Sequence, residues 1–140
     1  MARYLIVANQ TLCGDQLAEQ VRQLLSEGPC SFHVVVPATH PKDHAFYTEG
    51  AAHALAEKRL EAALERFKAL GAEVTGEVGD EKPMLAVRDC FIASNTYDGV
   101  ILSTLPPGVS RWLQKDLPHR LEKTYGLPIM QVTGDYEAVG

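Results

Sequence analysis

The sequence of 140 residues lacks several features that mark specialised classes of protein. It has no hydrophobic run approaching the 18 residues of a membrane span, and its opening apolar stretch is too short for a signal peptide. Three cysteines without a CxxC spacing indicate reduced thiols rather than a disulfide framework. A net charge of −5 argues against general nucleic-acid binding. We therefore expect a cytoplasmic protein that binds neither membranes nor nucleic acids.

Common enzyme signatures are missing as well. The sequence contains no GxGxxG dinucleotide turn and no GxSxG nucleophile elbow. The segment Asn9-Gln10-Thr11 lacks the acidic pair of a phosphoacceptor domain. His40 and His44 have a spacing that suggests metal binding, but Pro41 disfavours a helix there and no third strong ligand is near in sequence. We expect a surface loop at that point, no metal site and no catalytic residues.

Apolar residues make up 46% and charged residues 22% of the chain, which indicates one folded domain spanning residues 1–140. Hydrophobic periodicity predicts strands and helices in strict alternation, followed by a polar tail at residues 133–140. The predicted strands are residues 4–8, 32–36, 72–78, 100–102 and 127–132. Helices are predicted at residues 13–27, at about 50–70, from 83 onward and from 110 to about 125.

This alternation predicts a parallel sheet with helices on both faces, because right-handed crossovers carry the chain between parallel strands. Ligands of such sheets bind beyond the carboxyl ends of the strands, where the strand order reverses. The segments that follow the strands are therefore the candidate site.

Four segments, in this order and spacing, resemble the universal stress protein family: L-I-V-A-N near the start, V-G-D before the third helix, Y-D-G-V-I-L-S-T and G-L-P-I-M-Q-V. The resemblance covers nearly the whole chain. It implies a three-layer α/β sandwich of the adenine nucleotide alpha hydrolase-like type, with five parallel strands in the order 3-2-1-4-5. It also implies a stress-response protein, and a homodimer in which the last strands pair.

Members of that family that bind ATP carry a Gly-x2-Gly-x9-Gly-Ser/Thr pattern after the fourth strand. Its glycines let backbone N–H groups approach the phosphates. Here the first two glycines correspond to Ser103 and Pro106, and the last pair corresponds to Lys115 and Asp116. Gly108 matches a glycine outside the core pattern. The family's aspartate after the first strand is Asn9 in this chain.

Two interpretations of the loop after the fourth strand remain open. Ser110 is an ordinary helix cap in one; in the other, it joins Thr104 and the first helical N–H groups to hold an anion beside Arg111 or Lys115. Asp80 similarly either caps a turn or lines a ligand cleft. The candidate ligand-contacting residues are Asn9, Val36, Gly79, Asp80, Ser103, Thr104, Gly108, Ser110, Arg111 and Lys115.

Two functional hypotheses follow. In the favoured one, the protein acts in the stress response by binding and dimerisation, without catalysis and without a nucleotide. In the alternative, it is a regulatory protein that binds an adenine nucleotide, ATP or AMP with Mg²⁺, and at most hydrolyses ATP slowly. In both, the last strand is an apolar edge that a second copy would cover. That edge comprises Pro128, Ile129, Met130, Gln131 and Val132.

Overall fold

The computed structural model describes residues 1–38 and 49–134. Their strands are β1 (Ala2–Val7), β2 (Cys30–Pro37), β3 (Glu73–Gly79), β4 (Gly99–Thr104) and β5 (Ile129–Thr133). The helices are α1 (Asp15–Glu27), α2 (Glu49–Ala69), α3 (Pro83–Ala93), α4 (Arg111–Gln114) and α5 (Leu117–Tyr125). The predicted loop around His40 and His44 and the end of the predicted tail, residues 135–140, lie outside the described residues.

All five strands are parallel and lie in the order β3-β2-β1-β4-β5, so the predicted strand order is confirmed. β1 occupies the centre, between β2 and β4. The strand order reverses at β1, so the switch point of the sheet lies between β1 and β4. β3 and β5 form the two edges of this sheet.

Alternate residues of the central strand β1 pack into two separate hydrophobic cores, one on each face of the sheet. Ile6 packs with side chains of α1 and α2 on one face, including Val21 and Phe67. Leu5 packs on the other face, with side chains of α3 and α5 such as Val87. The apolar continuity of β1 thus reflects burial on both sides, and the predicted three-layer sandwich is confirmed.

The prediction of one continuous helix from residue 110 to about 125 is wrong, because the structure has two shorter helices there. α4 ends at Gln114, and Asp116 adopts a left-handed conformation with φ 55° before α5 begins. The cause is Pro118, which has no N–H to donate and whose ring would clash with the Gln114 carbonyl in an unbroken helix. The chain therefore turns at Lys115 and Asp116.

The predicted polar tail also begins too early. Thr133 belongs to β5, and the buried Gly134 donates its N–H to the Thr104 carbonyl at 2.9 Å. Pairing with β4 therefore extends to residue 134, at the carboxyl end of β4.

Among the described residues, no helix combines the length and apolar character that crossing a bilayer requires.

At Gly79 the backbone of β3 lies close against α3. A Cβ atom at this position would lie 2.8 Å from Ala86 Cβ and 3.0 Å from Val35 Cγ2. We expect Gly79→Ala to destabilise the protein by about 1–3 kcal/mol through overpacking. Urea denaturation measures this as a lower midpoint at an unchanged slope.

Ala86→Gly tests the cause of that loss. Alone it should cost about 1 kcal/mol of helix propensity. Combined with Gly79→Ala it should recover part of the loss, because it removes the colliding methyl group. Strictly additive effects in the double variant would show that the Gly79–Ala86 contact is not what limits this position.

Candidate functional site

The carboxyl ends of β1 and β4 are joined by a hydrogen bond between two buried hydroxyl groups. Thr11, just after β1, and Ser103, at the end of β4, are 2% and 1% exposed. Their Oγ atoms lie 2.5 Å apart. The segments after these strands therefore do converge on one place, and the hydroxyl groups there are bonded to each other.

Both the nitrogen and the oxygen of the Asn9 side-chain amide make hydrogen bonds. Its Nδ2 donates to the Pro37 carbonyl at 2.8 Å, and its Oδ1 accepts from Arg59 Nη1 at 2.6 Å. These bonds connect the ends of β1 and β2 with α2. A carboxylate at this position could accept from Arg59 but could not donate to Pro37, which explains why an amide fits where the family resemblance implies an aspartate.

The segment after β1 folds back over the sheet edge. The Leu12 N–H bonds the Asn9 carbonyl at 3.1 Å, and the Leu12 side chain is fully buried. From the other side Gly134 approaches so closely that a Cβ on it would lie 3.0 Å from Thr11 Cβ. The chain is therefore closely packed around Thr11, between the ends of β1 and β5.

One polar atom in the crevice stands out. Thr104 is 2% exposed, and within residues 1–38 and 49–134 its Oγ1 is the buried side-chain oxygen or nitrogen without a hydrogen-bond partner. Its carbonyl is bonded to Gly134, so the backbone of this residue is satisfied while its hydroxyl is not. An unmet hydroxyl costs about 1–3 kcal/mol, so this point is the least satisfied part of the crevice.

Two backbone N–H groups of the loop after β4 are bonded within the loop. The Pro106 carbonyl accepts from the N–H groups of Val109 at 3.1 Å and Ser110 at 3.0 Å. Gly108, with φ 93°, provides the left-handed residue of this turn. Ser110 Oγ accepts from the Leu113 N–H at 3.2 Å, so the interpretation of Ser110 as a helix cap is confirmed.

The two cations predicted beside an anion are exposed and belong to a helix of only four residues. Arg111 begins α4, whereas the Lys115 N–H bonds the Arg111 carbonyl at 3.2 Å and ends it. A helix carboxyl end carries partial negative charge, which disfavours an anion beside Lys115. The anion hypothesis for these residues stays a prediction.

A second group of predicted residues lies at the carboxyl ends of β2 and β3. Asp80 Oδ1 accepts from the Lys82 N–H at 2.9 Å, so Asp80 does cap the turn into α3. Val36 is fully buried, one residue before β2 ends. Gly79 and Asp80 also border an open groove of about 620 Å³. Its lining residues are Ala38, Gly50, His53, Gly79, Asp80, Glu81, Lys82 and Leu85.

The predicted site residues thus fall into three groups rather than one. Asn9, Ser103 and Thr104 are buried at the ends of β1 and β4, and Gly79 and Asp80 border the groove. The third group lies in the loop after β4 and around α4: Gly108, Ser110, Arg111 and Lys115. In the sequence, Thr11 stands out only as part of a loop. Arg59 is not recognisable as a site residue from the sequence because it lies on a charged helix, where nothing shows that its guanidinium reaches the end of β1.

Comparison with known proteins decides the fold type. No protein-family model and no curated protein matches the chain. Among solved structures, a universal stress protein from Archaeoglobus fulgidus aligns with a TM-score of 0.59 and 11% identity, covering 95% of this chain and 94% of that one. A universal stress protein in complex with cAMP gives a TM-score of 0.62 and 13% identity, covering 96% and 98% of the two chains.

The chain has the fold of the universal stress proteins. The resemblance seen in the sequence is confirmed at the level of fold, over about 95% of the chain. The local differences lie where ATP-binding members of that family are expected to place their glycines. There this universal stress protein fold carries a Ser103 hydroxyl bonded to Thr11 and a Pro106 without an N–H.

Asn9→Ala tests whether the carboxamide stabilises the crevice. The substitution leaves the Pro37 carbonyl without the amide donor and the Arg59 guanidinium without the amide acceptor. We expect a loss of about 1–3 kcal/mol in the free energy of unfolding, measured by urea denaturation. Gln10→Ala, at the neighbouring half-buried residue, is the control and should cost less. Equal losses in the two variants would show that the Asn9 bonds contribute nothing specific.

Proposed function

We propose that this protein is a non-catalytic regulatory protein of the universal stress protein type, which acts by association with a second copy and with a protein partner. The observation that carries this proposal is the set of buried polar contacts at the carboxyl ends of β1 and β4. Thr11 and Ser103 bond each other there, and Asn9 bonds Pro37 and Arg59. A nucleoside entering the same space would have to displace these buried contacts.

Two features of the loop after β4 and of the helices that follow it support a function without ATP. Pro106 has no backbone N–H, and its carbonyl takes the N–H groups of Val109 and Ser110. A phosphate would therefore compete with bonds that shape the loop. Asp116, between α4 and α5, adds a negative charge where the family pattern has a small residue. The hydroxyl groups of Thr11 and Ser103 bond each other rather than a general base, which favours binding over catalysis.

The edge strand β5 supports dimerisation. The Pro128 carbonyl accepts from Val100, and the Gly134 N–H donates to Thr104. Because backbone groups point to alternate sides of a strand, Ile129, Gln131 and Thr133 direct their N–H and C=O groups away from β4. This open edge is short of charged residues and matches a second β5, whose pairing would satisfy the same groups.

The alternative function is binding of an adenine nucleotide, and one finding favours it. A universal stress protein of the same fold is known in complex with cAMP. In this chain the open groove beside Gly79 and Asp80 has room for such a ligand. ATP or AMP with Mg²⁺ belongs to this second candidate function.

Thermal unfolding with ATP, ADP, AMP and cAMP, each with and without Mg²⁺, separates the two functions. A ligand at 100 times its Kd stabilises the folded state by about 2.7 kcal/mol, which raises the Tm by several degrees. We expect no rise with any of these nucleotides at millimolar concentration. A rise that is lost in Arg111→Ala, Lys115→Ala and Gly108→Val would replace the favoured function with the alternative.

Light scattering tests the proposed dimer. Gln131→Pro removes an outward N–H without touching the bonds between β5 and β4, so the variant should be monomeric at concentrations where the unaltered protein is dimeric. Gln131→Ala is the matched control, since it removes the same side chain, keeps the N–H and should remain dimeric. A monomeric unaltered protein at high concentration would refute this mode of association.

A further inference from the structure

Three side chains with metal-ligating atoms meet on the sheet face that α3 covers, away from the crevice and the groove. His33 comes from β2, Glu77 from the edge strand β3 and Cys90 from α3. Their ligand atoms all lie within 4.8 Å of one another. The function proposed above uses none of these residues.

Two separations within the cluster are close to those between the ligands of a small ion. Glu77 Oε1 lies 3.4 Å from Cys90 Sγ, and Glu77 Oε2 lies 3.6 Å from His33 Nε2. Tetrahedral Zn²⁺ with nitrogen, oxygen and sulfur ligands at their usual bond lengths holds those ligand atoms about 3.4 to 3.6 Å apart. The third pair of ligand atoms, on His33 and Cys90, lies within 4.8 Å, so a metal would have to draw these two side chains closer together.

The imidazole of His33 is already oriented for ligation. Its Nδ1 lies 2.7 Å from Thr75 Oγ1 on the neighbouring strand. When Nδ1 carries the proton and donates to that hydroxyl, Nε2 presents its lone pair toward Glu77 and Cys90. A hydrogen bond of the second ring nitrogen to an oxygen is the arrangement that fixes metal-binding histidines elsewhere in proteins.

The three side chains differ in their exposure to solvent, from buried to half-exposed, so an ion could reach the cluster from its exposed side. Cys90 is 2% exposed, while the side chains of His33 and Glu77 are 15% and 49% exposed. The sulfur thus lies at the base and the carboxylate at the mouth. Solvent can reach the carboxylate side, which leaves room for a water as fourth ligand.

The chemistry of the ligands selects the ion. Mg²⁺ and Ca²⁺ prefer oxygen ligands, whereas a thiolate and an imidazole together favour Zn²⁺ among the abundant divalent ions. We propose that His33, Glu77 and Cys90 form a three-ligand Zn²⁺ site, with Thr75 as a positioning residue for the imidazole. The bound ion would join the edge strand β3 and its neighbour β2 to α3.

Without metal the sulfur remains a thiol. Burial, and then the Glu77 carboxylate, raises the pKa of Cys90 to about 12, and the thiol donates a hydrogen bond to Glu77. Ligation therefore releases this proton to solvent, and the Zn²⁺ charge then balances the thiolate and the carboxylate.

The test uses the full chain, reduced and freed of metal with a chelator. Zn²⁺ is titrated by calorimetry, and Co²⁺ serves as the spectroscopic probe. We expect one Zn²⁺ per chain that requires Cys90, and with Co²⁺ a thiolate-to-cobalt charge-transfer absorption in the near ultraviolet. The histidines at positions 40 and 44 cannot produce that absorption, so any binding there is distinguished from the proposed site.

Three variants with cysteine replaced identify the sulfur. Cys90→Ala should abolish the charge-transfer absorption. Cys30→Ala, which removes another buried thiol, and Cys13→Ala, which removes the half-exposed one, should keep it. Circular dichroism confirms folding of each variant. No absorption in the unaltered protein, or an undiminished absorption in folded Cys90→Ala, would overturn the proposal.

Two further variants keep the proposal falsifiable if Cys90→Ala does not fold. Thr75→Val removes the hydroxyl next to Nδ1 and should weaken Zn²⁺ binding by about 10- to 100-fold, while Thr75→Ser should restore it. Glu77→Gln, at a half-exposed position, removes a ligand and should weaken binding at least as much as Thr75→Val. Unchanged Zn²⁺ affinity in both Thr75→Val and Glu77→Gln would exclude this site.

Discussion

A parallel sheet covered on both faces brings buried polar groups to one edge, and the rest of this structure depends on how those groups are satisfied. β1 lies in the middle of the sheet, so the residues that follow it are surrounded by β2, β4 and the helices. Asn9 bonds Pro37 and Arg59, and Thr11 bonds Ser103. Each bond inside the protein replaces one that water would otherwise supply, which makes this edge costly to disturb.

The hydrogen bonds that these buried groups make within the protein also bear on its function. ATP-binding universal stress proteins are expected to point backbone N–H groups of this loop at the phosphates. In this chain the N–H groups of Val109 and Ser110 bond the Pro106 carbonyl instead. A binding site must exchange its internal bonds for bonds to the ligand, and the exchange is least favourable where those bonds are buried. The function that we propose therefore lies with the edge strand β5 rather than with a nucleotide at the end of β4.

Much of the architecture was predictable because periodicity and local chemistry determine it. Continuous apolar segments such as residues 4–8 predicted central strands, and a helix cap was one of the two interpretations that the sequence left open for Ser110. The break at Asp116 was predictable in principle from Pro118 but was missed, since the apolar stripe continues across it. Arg59 was beyond prediction because a side chain of α2 reaches Asn9 across 50 residues of sequence.

By itself, the sequence determined the order of strands and helices, and hence the edge at which the loops converge, because the hydrophobic period and the handedness of crossovers are local properties. Only the tertiary structure decided which polar groups meet. The residues that follow β1 are packed and hydrogen-bonded by Arg59, Ser103 and Gly134, which reach them from other parts of the chain. The meeting of His33, Glu77 and Cys90 arises likewise from strand register and helix placement, which bring together residues far apart in the chain.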